Sequence, residues 1–395
     1  MRVILFDDFS RRLSLLPLTF TRPVAALRIG ILTIAEKWEK YLGLEVSYQT
    51  ELYLQEKFPV KYDDQNILIN GSICPDEQLF EAIHSLSDGE ALYSDTILVA
   101  LNLSGELAKK WRNNDLSPHK RIQYTRSFSQ VIFPEDVFRL NDIEIRKDYA
   151  LLTKGRVSQK LSSTNCTLGD DIFVEEGVVA ECSTFNTLQG PIYLGKNSQV
   201  WEGSNIRGSF ALCAYSQVKM GAKIYGMTTI GPYSRVGGEI NNSVILGYSS
   251  KGHDGYLGNS VVGEWCNMGA DSNTSNLKNN YAEVRLWDYN KMYFRETGLQ
   301  FCGLIMSDHA KCGINTMFNT GTVVGVGANV FGPGFHRNFV PDFAWGGGHD
   351  FKPYILDKLF ETAEKVFERR DMVFNEIEKK ILTRVFELTE NSRVF

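Results

Sequence analysis

The residues with the most capacity for chemistry fall in one stretch, 251–280, KGHDGYLGNSVVGEWCNMGADSNTSNLKNN. It carries His253, Tyr256, Asn267, Asn273 and Asn276 with glycines between them. An imidazole has a pKa close to neutral, which suits general-base work on an amine or hydroxyl. Clustered polar side chains of this kind mark candidate sites. They also have a structural reading, because asparagines can ladder along the corners of a coil and a lone histidine can sit on a surface. Composition leaves both open. A second polar-edged stretch, 313–330, follows His309 and Lys311, and its Asn315 and Asn319 fit ordinary turns equally well.

What must position these residues is a repeat. Leu194, Val200, Ile206, Leu212, Val218, Ile224, Ile230 and Val236 recur at every sixth position. A helix repeats near 3.6 residues and a strand near 2, so neither alone gives this period. A short strand plus a corner does, and three such steps close one turn of a parallel β-helix. Gly195, Gly203, Gly221, Gly231 and Gly237, with Asn197 and Asn205, supply residues that tolerate corner conformations. A sandwich or barrel would show turn signals every 8–12 residues with apolar–polar alternation. The six-residue step also appears at Leu168, Val174 and Ala180, the repeat resumes at Leu257, Val262 and Met268, and the six-step returns from Met306 to Val330. The coil is expected over about 165–335. Inserts are expected near 241–255 and 277–300, forming loops on one side.

Residues 1–150 differ. Val3, Ile4 and Leu5 read as a first buried strand, and 67–69 as a second. The pattern over 27–42 is helical, with Thr33 as N-cap and Glu36 at the capping-box position. A helix capped by Asp76 and a strand pair over 91–101 follow. Strands alternating with helices indicate an α/β layer domain. Near the C-terminus, 353–390 shows 3–4 spacing of apolar residues against mixed charges, a helical cap or subunit-packing segment rather than a membrane-binding one. The expected domains are therefore 1–150 (α/β), 151–350 (β-helix) and 351–395 (helical).

The chain has 395 residues and a formal charge of −5, which gives no strong field for nucleic acid or anionic membrane. No apolar run is long enough to span a bilayer, so no membrane insertion is expected. The run Met1 to Phe6 is too short for a signal-peptide core. Seven scattered cysteines without a C-x-x-C pair argue against a metal site or disulfide framework, and a cytoplasmic location follows.

The segment GHDGYLGNSVVGEWCNMGADSNTSN resembles the GH-x-x-YLG…N-x-GAG…T-x-N segment of the bacterial bifunctional N-acetylglucosamine-1-phosphate uridyltransferase/glucosamine-1-phosphate acetyltransferase family. The match runs without a gap from Gly252 to Asn276. The resemblance implies a left-handed β-helix of the hexapeptide-repeat acyltransferase type after a modified nucleotidyltransferase-like domain. It implies acetyl transfer from acetyl-CoA to an amino sugar 1-phosphate, in supply of UDP-N-acetylglucosamine for the cell envelope, by a homotrimer. His253 would be the general base. Tyr256, Asn267 and Asn276 would hold the acceptor. Ala270 would lie beside the acetyl group, where its N–H could steady the oxyanion.

The chain departs from that family at several points. The family's phosphate lysine, about twelve residues before the histidine, is Asn241 here, with Lys251, Lys278 and Arg285 as substitutes. Its G-A-G is Gly269-Ala270-Asp271. In the front domain, the Gly-rich phosphate loop is replaced by Phe6-Asp7-Asp8-Phe9-Ser10-Arg11-Arg12, and the metal-binding G-D by Asn70-Gly71-Ser72. Arg11, Arg12 and Arg22 are the candidates for nucleotide phosphates of UTP or a UDP-sugar, and Asp7 and Asp8 for Mg²⁺. Two alternatives to the acetyltransferase follow from these gaps: a sugar-1-phosphate nucleotidyltransferase with an inactive coil, or a non-catalytic sugar-nucleotide-binding protein.

Overall fold

The computed structural model describes residues 2–112, 120–348 and 350–393. The fold is the one expected: an α/β unit, a parallel β-helix and C-terminal helices. Two compact units result: Met1–Leu27 with Leu32–Phe133, and Arg28–Ile31 with Pro134–Phe395.

The first unit is built on a six-stranded sheet: β1 (Arg2–Phe6), β2 (Ser47–Gln49), β3 (Gln65–Asn70), β4 (Glu90–Ser94), β5 (Ile97–Ser104) and β6 (Lys120–Gln123), in the order β2-β1-β3-β5-β4-β6. β1 runs parallel to β2 and β3, and β5 is antiparallel to both β3 and β4. Its helices are α1 (Phe9–Ser14), α2 (Ile34–Leu42), α3 (Glu77–His84) and α4 (Gly105–Lys110). Thr33 and Glu36 form the expected capping box, and α2 ends at Gly43 in the left-handed conformation. The helix does not reach back to Leu27, because Arg28–Ile31 leaves this unit and joins the other. Asp76 caps α3 by accepting from the Leu79 amide.

In the second unit three sheets form the coil, one per side, parallel except where Asp350–Pro353 returns antiparallel to Ala344–Gly347. The six-step residues from Leu194 to Val236 all point inward and are buried. Leu194 pairs with Leu212 and Leu212 with Ile230, one full coil of 18 residues each time. Residues 241–255 are not an insert. Ile230 pairs with Ile245, a coil of only 15 residues, and the strands run straight through. The break in period near Asn242 is therefore a shortening, with Ile240 and Ile245 filling the interior. The interruption at 277–300 is an insert: Arg285–Asp288 and Tyr293–Glu296 form an antiparallel hairpin.

One coil corner is lined by aromatics. Tyr215, Tyr233, Tyr248 and Trp265 all have positive φ, and their rings stack in sequence at 4.8, 5.3 and 4.4 Å. Phe367 of α7 (numbered after α5, Asp136–Arg139, and α6, Asn141–Thr153; α7 is Leu356–Glu368) stacks on Trp265 at 3.7 Å. α8 (Glu376–Leu388) places Phe386 against Phe343 of the same unit. The amphipathic faces read from the sequence thus pack on the flank of the coil. On another side, residues 28–31 are strapped down. The Gly30 amide donates to Asn141, the Ile31 amide to Asp148, and Thr229 to the Gly30 carbonyl, at 2.7, 2.8 and 2.9 Å. Among the described residues no helix is long and apolar enough to cross a membrane. All seven cysteines are free.

Candidate functional site

Ser250 and Lys251 form a short strand on one side of the coil, with Ser250 outward and Lys251 inward, in register with Arg235 and Val236. Lys251 occupies a slot that is otherwise apolar and is buried. Its ammonium donates to the carbonyls of His253 and Asp254, at 2.6 and 3.3 Å. Burial pushes its pKa down to about 8. The lysine therefore pins, from inside, the corner that turns His253 outward. His253 is exposed and opens onto a cavity of about 570 Å³. Asn267, Gly269 and Ala270 of the next coil line the same cavity.

Tyr256 and Asn276 form a separate pair. The Asn276 amide donates to the Tyr256 hydroxyl at 3.0 Å and to Asn259 at 2.8 Å, and neither Tyr256 nor Asn276 lines the cavity. Asn273 accepts from the Tyr256 amide and donates to the Asp271 carbonyl, the corner role its spacing allowed. Three of the five residues proposed for the coil site thus share one cavity, and two stand together outside it.

The phosphate-binding candidates are redistributed. Lys251 faces inward, Lys278 donates to the Glu283 carbonyl at 2.6 Å, and Arg285 stands 4.0 Å from Glu296. None of Lys278, Arg285 or Asn241 lines the cavity. Lys219, Arg235, Lys311, Arg369 and Arg370 do, with no carboxylate among the lining residues. Sequence reasoning missed these five, although Lys219, Arg235 and Lys311 sit on the same side of three coils and follow from the register once it is known. Arg369 and Arg370 could not be found that way. They reach the cavity only because Phe367 docks α7 on the aromatic corner.

In the first unit, Asp7 sits at the end of β1 with its side chain buried. One oxygen accepts from the Val24 amide at 2.8 Å; the other accepts from Thr50 at 2.5 Å and Arg12 at 3.0 Å. Burial raises its pKa against the pull of Arg12. Asp8 caps α1, accepting from the Arg11 amide and the Ser10 hydroxyl. Arg12 is buried, donating also to the Arg22 carbonyl and the Tyr53 hydroxyl. Arg22 is buried too, and Arg11 is half-buried. A magnesium ion at Asp7 would have to displace Arg12 or Thr50. Asn70 is buried, donating to the Leu98 carbonyl and accepting from Ser72.

A family model described as sugar nucleotidyl transferase matches residues 3–157. Bifunctional protein GlmU from Rippkaea orientalis is 26% identical over 204 residues, covering 44% of this chain and 45% of that protein. The GlmU protein of Methanocaldococcus jannaschii is 27% identical over 139 residues, 35% of this chain and 28% of that one. Over those spans the chain is similar to the two GlmU proteins. It spans less than half the length of those two relatives. Among solved structures, the UDP-N-acetylglucosamine acyltransferase from Campylobacter jejuni covers 58% of this chain and 96% of its own, at 10% identity and a TM-score of 0.27. A mutant of the Bacillus cereus N-acyltransferase AntD, in complex with dTDP-4-amino-4,6-dideoxyglucose and coenzyme A, covers 52% of this chain and 92% of its own, at 11% identity and a TM-score of 0.24.

Proposed function

We propose that the coil transfers an acetyl group from acetyl-CoA to the amine of an amino sugar phosphate, with His253 as general base. The observation that carries this reading is an exposed imidazole, fixed from beneath by Lys251, opening onto a cavity rich in cations and free of lining carboxylates. The acceptor ammonium gives a proton to the His253 imidazole. The freed amine attacks the thioester carbonyl and the N–C bond forms; as the C–S bond breaks, the proton that the nitrogen sheds in becoming an amide passes to the sulfur, and CoA leaves as its thiol. Asn267 would hold the acceptor at the cavity wall. The Ala270 N–H would face the developing oxyanion, the group whose stabilisation usually contributes most. Tyr256 and Asn276, paired outside the cavity, would contact the acceptor only where it extends past His253 or where a neighbouring copy in a homotrimer joins the site. The product would feed UDP-N-acetylglucosamine supply in the cytoplasm.

The test is CoA release from acetyl-CoA with a panel of hexosamine 1-phosphates and nucleotide-linked amino sugars. His253→Ala is expected to lower turnover by about 10²-fold or more, the scale of a lost general base. Turnover equal to wild type would remove His253 from that role.

A second reading, nucleotidyl transfer in the first unit, is supported by the sugar nucleotidyl transferase match over 3–157. Its test is Mg²⁺-dependent pyrophosphate release from UTP and a sugar 1-phosphate. Arg11→Ala is the informative variant, since Arg12 and Asp7 are engaged with each other.

A further inference from the structure

We propose that the turn after α7 completes, within one chain, a binding site for a pyrophosphate-bearing nucleotide: Arg369 and Arg370 on one wall, Lys219, Arg235 and Lys311 on the other. The five cations line a single cavity with no acidic lining residue, and none of them forms an ion pair among the described residues. Their partners are neutral. Lys311 donates to the His309 carbonyl at 3.0 Å, and Lys219 donates to Gln217 and lies 3.6 Å over the Trp201 ring. The Arg370 Nε is buried without a hydrogen-bond partner. Burial first, and then Arg235 and Arg369, disfavour the charge on Arg370; burial and then Arg235 disfavour that on Lys219. A fold does not gather like charges at a partly desolvated wall without cost, and that cost is recovered when an anion binds.

The number of charges narrows the ligand class. One phosphate monoester carries about −1.5 to −2 near neutral pH, well short of five cations. A pyrophosphate linkage carries about −2 when both ends are esterified, and a terminal or additional phosphate, as in a nucleoside diphosphate or CoA, brings it to about −3 to −4, which matches better; two adjacent phosphates also suit a pair of arginine forks. The volume of about 570 Å³ admits such a group beside His253. The inference deepens the acyl-transfer reading by naming where a nucleotide's phosphates sit, but it is measured by binding and needs no turnover.

The experiment is calorimetry and thermal unfolding on the full chain, with inorganic pyrophosphate as the probe. CoA, 3′-dephospho-CoA and UDP serve as competitors. Pyrophosphate is expected to bind and to raise Tm. The double variant R369A/R370A is expected to weaken binding by about tenfold or more, the usual loss for charge-assisted hydrogen bonds. Arg370→Gln is expected to weaken binding while leaving the ligand-free Tm unchanged or higher, because like-charge repulsion is relieved. A packing role would move both quantities down together, and R369K/R370K failing to bind with a lowered Tm would overturn the proposal. So would unchanged pyrophosphate affinity in R369A/R370A, or pyrophosphate binding that none of the three nucleotides competes for. Competition by CoA but weaker competition by 3′-dephospho-CoA would assign the site to the acyl donor; competition by UDP alone would assign it to a nucleotide sugar. Wild-type protein that binds pyrophosphate but releases no CoA with any acceptor would sink the acyl-transfer reading alone, so its failure and that of this inference are told apart.

Discussion

Lys251→Met isolates the physics of the corner that carries His253. Lys251 is 3% exposed, in a coil slot paired with Val236, and its ammonium reaches only carbonyl groups of the corner above it. Burial lowers its pKa from 10.5 to about 8. The unfolded chain therefore holds that proton more tightly than the native one. Between pH 8 and 10.5 the unfolded state binds more protons, so this group's contribution to stability rises with pH across that window. It is complete above 10.5 and lost as pH falls through 8. The full span is worth at most about 3 kcal/mol at ~1.4 kcal/mol per pH unit. Methionine fits the slot without a charge, so the variant lacks this dependence. The loss of two hydrogen bonds opposes that gain, by about 0.5–3 kcal/mol each, and does so equally at every pH at which the lysine is charged. Urea unfolding of both proteins at pH 7, 9 and 10.5 reads the difference directly. The stability of the variant is expected to vary less with pH, with wild type gaining on it by up to ~3 kcal/mol between pH 7 and pH 10.5. Turnover is expected to fall about tenfold or more, because a displaced base loses its attack geometry. A stability difference flat in pH would refute the reasoning, and full turnover would show that Lys251 does not position His253.

Asp342 is fully buried, accepting from the Val326 amide and the Tyr289 hydroxyl, and burial raises its pKa to about 6. Its contribution is therefore complete below pH 3.8 and lost as pH rises through 6. Asp342→Asn keeps an acceptor for Val326 and should flatten that loss, leaving the variant at least as stable at pH 7.5; chemical unfolding at pH 4, 6 and 7.5 checks it, with about 3 kcal/mol at stake. Gly30 has φ +75°, and a Cβ there would lie 2.5 Å from the Asp148 carboxylate and 2.7 Å from the Glu144 backbone. Gly30→Ala should lower stability by more than about 3 kcal/mol, combining left-handed strain with a clash, and a Tm within 2 °C of wild type, roughly 1 kcal/mol or less, would contradict the strap. The acyl-transfer and pyrophosphate tests above complete the set.

The strand and helix of the first unit were legible because their signals are local: the apolar run at Val3–Leu5, the capping box of Thr33 and Glu36, the Asp76 cap. So was the coil, because each of its steps buries one residue at a fixed interval, and Leu194 through Val236 record that interval directly. The place where the period slips near Asn242 was misread as an insert, since a shortened coil and an inserted loop leave the same gap in a one-dimensional pattern.

By itself, then, the sequence determined the winding, the two kinds of architecture and the candidate imidazole at His253. Those follow from burial periodicity and residue chemistry, which are properties of neighbours along the chain. Only the tertiary structure decided that Asn267 and Ala270 share a cavity with His253 while Tyr256 and Asn276 pair elsewhere, that Lys251 turns inward, and that Arg369 and Arg370 face Lys219, Arg235 and Lys311. The reason is physical: which residues meet across coils, or across the docking of α7, depends on register and side-chain packing between segments up to about 150 residues apart, and no local spacing encodes that.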